Sequence, residues 1–211
     1  MPSSGLAILI GAGPATGTGI ASVLTSPTHG NLAVALLSRR PENLQAVISK
    51  VRSASPDAML EAFASDTSKA FANIKAHDSL KGLNLTLAIY SIKYSSKKPS
   101  LEETREDFEE SLETGSGKER HIHFYGYPWR SLMQCAIRRL WCWSRICPST
   151  SANFAHAIAN GIIVDEDGED QKWGKKMSAD AVGETYFWLH QQKPCLWTHK
   201  LDMRPACEKF S

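Results

Sequence analysis

The sequence has no long apolar run, no excess of one charge and no paired cysteine pattern, and each absence removes a class of function. No stretch approaches the roughly 20 apolar residues that span a bilayer; the run Leu-Ala-Ile-Leu-Ile at residues 6–10 is far shorter. No basic segment precedes that run, so it does not read as a secretory signal, and the chain reads as cytoplasmic. Lys and Arg total 24 against 22 Asp and Glu, a formal net charge of +2. That balance provides no electrostatic footprint for nucleic acid or a membrane surface. The five cysteines, Cys135, Cys142, Cys147, Cys195 and Cys207, are odd in number, which argues against a disulfide framework. What is present is ordinary globular material: 211 residues, 42% hydrophobic and 22% charged, enough for one domain with a sizeable core.

Apolar runs alternate with helical spacing along the first half. Residues 6–10 and 31–38 are nearly continuous apolar runs, the pattern of parallel strands buried on both faces. Residues 59–64 and 83–90 extend the series. Between them, 18–26 read as a helix closed by Pro27, 41–53 carry Leu44, Val47, Ile48 and Val51 on one face, and 70–80 read as a third helix. Strands separated by helices predict an α/β fold, a Rossmann-like doubly wound parallel sheet. A Glu-rich helix with Phe108 and Leu112 is predicted over 102–113. Regular patterning then stops and resumes with a strand at 152–158, a helix at 179–190 and a strand at 196–202.

The first strand runs into Gly11-Ala-Gly13-Pro-Ala-Thr16-Gly17-Thr-Gly19. Glycines between a strand and a helix allow a tight turn, close backbone approach to a pyrophosphate and close packing of the helix. The helix start offers free N–H groups and the positive end of its dipole to a phosphate. Strand before, helix after and a second strand following make this a dinucleotide-binding βαβ unit. The second strand ends Ser38-Arg39-Arg40. An acidic residue there suits the ribose 2′-hydroxyl of NAD, whereas basic residues suit a 2′-phosphate, so the chain is expected to hold NADP.

These residues resemble the short-chain dehydrogenase/reductase family. Gly13-x-x-x-Gly17-x-Gly19 has that family's glycine spacing, and Asp66 matches its adenine-contacting position. Leu87-Ala-Ile-Tyr90-Ser91 stands in place of the family's Asn-Asn-Ala-Gly stretch, departing from it at Tyr90 and Ser91. Residues 155–161 and 197–205 are similar to its last two strands. The resemblance covers about residues 4–114 and 152–210. It implies an oxidoreductase acting on a small-molecule carbonyl or alcohol, with Gly11, Gly13, Thr16, Gly17, Gly19, Ser38, Arg39, Arg40, Asp66 and Ser91 on the cofactor. It also implies a homo-oligomer built on helices flanking the catalytic segment, weakened here.

The family's chemistry rests on a Tyr, a Lys four residues later and a Ser about a dozen residues earlier. The phenol passes a proton to or from the substrate oxygen, and the Lys pulls its pKa down from near 10. No such set stands in place. Tyr94 and Lys98 have the Tyr-to-Lys spacing but directly follow the fourth strand. Tyr125 and Tyr127 lack the Lys, and Ser116, Ser131 and Ser144 have no assignable role, so the catalytic residues are unknown.

Residues 115–151 explain the gap. They hold Trp129, Trp141, Trp143, three cysteines and Arg120, Arg130, Arg138, Arg139 and Arg145, without a period of 3.6 or 2. They number 37, about a helix too few for the family's middle, so the sheet is expected to be incomplete around its fifth strand and catalytic helix. Residues 134–146 permit codons whose neighbouring frame reads Gln-Tyr-Ala-Ala-Tyr-Gly-Ala-Gly-Arg-Ala-Ser-Val, a stretch similar to that helix. The alternative to an enzyme is therefore a non-catalytic NADP-binding remnant of a frame-altered or mis-spliced gene. His121, His123 and the three cysteines lack a C-x2-C knuckle, so no metal is expected. The arginines without a matching fold give no case for nucleic acid. The domain over 1–211 thus divides into a cofactor-binding half (1–114), an aberrant segment (115–151) and a family-like part (152–211). The acidic stretch within 162–177, where the family keeps its substrate loop, is expected to be a solvated loop.

Overall fold

The continuous apolar runs are strands covered on both sides. The computed structural model describes residues 5–65, 73–74, 76–91, 120–124, 154–159, 163–164, 168–193, 195–196, 198 and 200–207. In it β1 (Gly5–Ile10), β2 (Ala33–Ser38), β3 (Leu60–Ala64) and β4 (Asn84–Tyr90) are parallel, in the order β3-β2-β1-β4. Alternate residues of β1 go to opposite faces. Ala7 and Leu9 join Val34, Leu36, Leu87 and Ile89 under the helices α1 (Thr16–Thr25) and α2 (Pro41–Ala54). Leu6, Ile8 and Ile10 join Ala33, Ala35, Leu37, Phe63, Ile74 and Leu80 on the other face. Each such Leu or Ile contributes about 1.5–3 kcal/mol by leaving water, so the pattern that carried the prediction also carries the stability.

The sheet continues through β5 (Arg120–Phe124), β6 (Phe154–Ala159) and, as its last strand, Lys200–Met203 (β9 below). The expected doubly wound parallel sheet is present in β3-β2-β1-β4, and only the expected gap at its fifth strand is corrected. The fifth position is filled, but β5 runs antiparallel to both neighbours, with Tyr90 opposite His121 and Leu87 opposite Phe124. Two reversals restore direction, so β6 runs as β4 does and pairs parallel with the last strand. Arg120 therefore lies at the carboxyl edge of the sheet, and β5 ends at Phe124, level with Leu87 midway along β4.

The described residues within 162–177 include short regular elements. Ile163–Val164 (β7) pairs parallel with Met177–Ser178 (β8), and Glu169–Lys172 forms a helical turn (α3). The long helix that follows, α4 (Ala179–His190), matches its predicted bounds. Ser178 caps it by accepting from the Ala181 N–H, as N-cap serines do. Val182, Tyr186 and Leu189 recur at helical spacing and are buried. The last strand, β9, begins at Lys200 rather than 196, because Leu196 is held in a turn by Lys193. The predicted helix over 102–113 lies outside the described residues. Of that over 70–80, residues 73, 74 and 76 are helical and Asp78–Leu80 is a single 3₁₀ turn.

His190 closes α4, where the helix dipole favours a cation, yet burial wins and holds its pKa below the usual 6.5. The unfolded chain then takes up that proton first. The stability drawn from a neutral His190 is present above pH 6.5 and lost as pH falls through the depressed value. Thermal midpoints measured from pH 7 to 5 are expected to fall, and His190→Gln to flatten part of that slope. An unchanged slope would remove His190 from the acid response.

Candidate functional site

The register aligns the carboxyl ends of four parallel strands. Ile10 stands opposite both Leu37 and Tyr90, and Ser38 opposite Ala64. The residues that follow are tied across this edge by backbone bonds: Gly11 and Ala12 N–H to the Leu37 carbonyl (2.8 and 3.0 Å), Ser91 N–H to Ile10 (2.7 Å) and Ser65 N–H to Ser38 (3.3 Å). One row thus holds Gly11, Ser38, Ser65 and Ser91, at the crevice where open α/β sheets bind ligands.

Within the loop each glycine has a different neighbour. Gly11 turns the chain at φ +84°, a conformation that favours glycine. A Cβ on Gly13 would meet nothing within 4 Å, so that side of the loop is open. A Cβ on Gly17 would lie 3.1 Å from the Ala12 backbone, which fixes how tightly the helix starts against the loop. Gly19 faces another helix altogether: a Cβ there would come within 2.0 Å of the Ala179 carbonyl oxygen, and one on Gly183 within 2.4 Å of the Gly19 oxygen. Gly19 therefore lets α4 pack directly on α1.

The start of α1 suits an anion. Ala15 is its N-cap with no side-chain cap, and no acidic residue lies in the first turn. The amides of Gly13, Ala15 and Thr16 donate to no acceptor among the described residues. Thr16 is half-buried at the helix start. Three uncompensated N–H groups beside an open glycine face form a cradle that a phosphate can fill. Sequence reasoning passed over Thr18, whose buried hydroxyl donates to the Pro14 carbonyl and pins the loop to the helix. It also passed over Ala179 and Gly183, since only folding brings α4 to α1.

At the end of β2, Ser38 Oγ accepts from the Arg40 N–H (3.3 Å) and shapes the turn into α2. Arg39 and Arg40 are exposed and form no ion pair among the described residues. Two guanidinium forks are thus available one strand away from the cradle. Ser91 is half-buried in the same row. Asp66, Tyr94, Lys98, Tyr125, Tyr127, Ser116, Ser131 and Ser144 lie outside the described residues, as do Cys135, Cys142 and Cys147. Among the described residues no three potential metal ligands cluster, and no helix is long and apolar enough to cross a membrane.

The fold is shared with solved structures over nearly the whole chain. A short chain oxidoreductase from Pseudomonas aeruginosa with an atypical catalytic centre superposes with a TM-score of 0.65 at 13% identity, covering 100% of this chain and 99% of that one. The chain has the short-chain dehydrogenase/reductase fold. An alcohol dehydrogenase of this fold from the archaeon Thermococcus sibiricus, complexed with 5-hydroxy-NADP, superposes at 0.62 and 15% identity, covering 98% and 99% of the two chains. A short-chain dehydrogenase from Rhodopseudomonas palustris does so at 0.57 and 17%, covering 97% and 100%. No family model matches the sequence, and no curated protein matches it. The likeness is therefore one of fold, at 13–17% identity.

Proposed function

We propose that the chain holds NADP(H) at the carboxyl edge of its sheet and acts as an oxidoreductase on a small carbonyl or alcohol. The observation that carries this reading is the open face of Gly13 beside the unpartnered amides of Ala15 and Thr16. Gly11, Gly13, Thr16 and Gly17 would hold the pyrophosphate, with Gly19 setting the helix that presents those amides. Ser38, Arg39 and Arg40 would take the 2′-phosphate, Asp66 the adenine and Ser91 the far side of the ribose. The nicotinamide, when bound, supplies or accepts a hydride. The protein's part is to fix the phosphates, orient the ring at the edge beyond Ser91 and manage the substrate proton.

One observation favours a second reading, a non-catalytic NADP-binding remnant. The resemblance expects the catalytic helix after the carboxyl end of the fifth strand, facing the cofactor. Here β5 runs away from the carboxyl edge and ends at Phe124, level with Leu87 midway along β4. The carboxyl end of the fifth strand, after which that helix is expected, therefore does not face the cofactor edge.

Turnover separates the two readings. Purified chain with NADPH and a broad panel of aldehydes and ketones is expected, on the enzyme reading, to consume NADPH faster than a heat-inactivated control. Binding of NADPH without turnover on any member of the panel selects the remnant. A chain that folds but binds no nucleotide overturns both.

A further inference from the structure

The segment 168–178 that leads into α4 is tied down from outside by residues 204–207. Cys207 is exposed, yet its N–H donates to the Gly174 carbonyl (2.8 Å) and its thiol donates to the Trp173 carbonyl (2.9 Å). Gly174 sits at φ +68°, and a Cβ there would come within 2.9 Å of the Ala206 Cβ, so the tail crosses the turn at its one bare position. Arg204 pairs with Asp202 of β9 (3.1 Å), which aims the segment as it leaves the sheet.

Inside the loop, a clasp centres on Asp170. Its carboxylate pairs with Lys176 (2.7 Å) and Lys175 (3.8 Å), and its carbonyl accepts from both backbone N–H groups (3.2 and 2.7 Å). Trp173 is 66% exposed, but its indole N–H donates to Glu169 (3.1 Å). The β7–β8 ladder has two residues on each side, too short to hold the loop alone. The loop then enters α4 at Ala179, the residue that lies against Gly19. Clasp and tail meet on the same turn, Trp173–Gly174.

We propose that residues 204–207 are a strap over this loop, and that release of the strap and opening of the loop are one event. Coupling of this kind is reciprocal: whatever loosens either side must loosen the other. The strap would thereby govern the loop that borders the carboxyl edge, whatever ligand that edge takes.

Limited trypsin digestion of the full chain at Lys172, Lys175 and Lys176 reads loop opening. Cys207→Pro removes the N–H and the thiol together and is expected to raise cleavage there about tenfold, whereas Cys207→Ser keeps both donors and stays within about twofold. Conversely, Asp170→Asn loosens the clasp and is expected to speed hydrogen exchange of the Cys207 amide by a similar factor. Wild-type cleavage in Cys207→Pro, or unchanged Cys207 exchange in Asp170→Asn, overturns the strap. If Cys207→Pro is also cleaved at Lys50 and Arg52 in α2, it has unfolded globally, and the Asp170→Asn exchange result decides.

Discussion

Gly19→Ala is expected to lower the thermal midpoint by about 5–10 °C. The added methyl would lie 2.0 Å from the Ala179 carbonyl oxygen, and the neighbour is helix backbone, which cannot swing aside as a long side chain can. Relief requires α1 and α4 to part, which opens the core around Ile20, Val182 and Tyr186. Overpacking of this kind costs about 1–3 kcal/mol, occasionally more, and for a chain of this length each kcal/mol moves the midpoint by about 2–4 °C. Gly183→Ala strikes the same contact from the other helix, 2.4 Å from the Gly19 oxygen. Its effect should be comparable, and the double variant should lose less than the sum, because both changes part the same pair of helices. Scanning calorimetry checks this, with Gly13→Ala as the control expected to melt with the wild type. A Gly19→Ala chain that also melts with the wild type would contradict the helix contact.

The second large effect concerns the cofactor. Arg39→Asp is expected to weaken NADPH binding about a hundredfold and to bring NADH up to or past it. A charge-assisted hydrogen bond to phosphate is worth about 1.5–3 kcal/mol, and the substitution also places a carboxylate where a 2′-phosphate would sit. NADH has no such phosphate, and the new carboxylate can accept from its ribose 2′-hydroxyl. Arg39 is exposed and forms no ion pair among the described residues, so the fold should not suffer. Equal loss of both nucleotides would place Arg39 outside the 2′-phosphate pocket.

The parts legible in the sequence are those in which burial is local. The runs at 6–10 and 31–38 are covered on both faces, so nearly every residue is apolar and the strands announce themselves. Helix α4 was legible because Val182, Tyr186 and Leu189 repeat on one face beyond a serine cap. β5 was not legible at all: Arg-His-Ile-His-Phe at 120–124 carries only two apolar residues among charged and polar ones, and a strand's pattern is in any case the same whichever way it runs. β7 and β8 are too short to show any period, so residues 162–177 read as loop. The candidate site was legible as a loop and not as a neighbourhood. Gly11, Gly13 and Gly17 could be placed from strand–turn–helix order, whereas the neighbour of Gly19 is a helix from the far end of the chain.

The open cradle at Gly13 is the proposed seat of NADP(H). Titration of the full chain with NADPH and, separately, NADH, followed by nicotinamide fluorescence, tests it most directly. Saturable NADPH binding is expected, at least about tenfold tighter than NADH and lost in Gly13→Val, whose thermal midpoint stays at the wild-type value because the new side chain fills only open space. A chain that melts cooperatively and binds neither nucleotide, or a Gly13→Val variant that binds NADPH as well as the wild type, would contradict it.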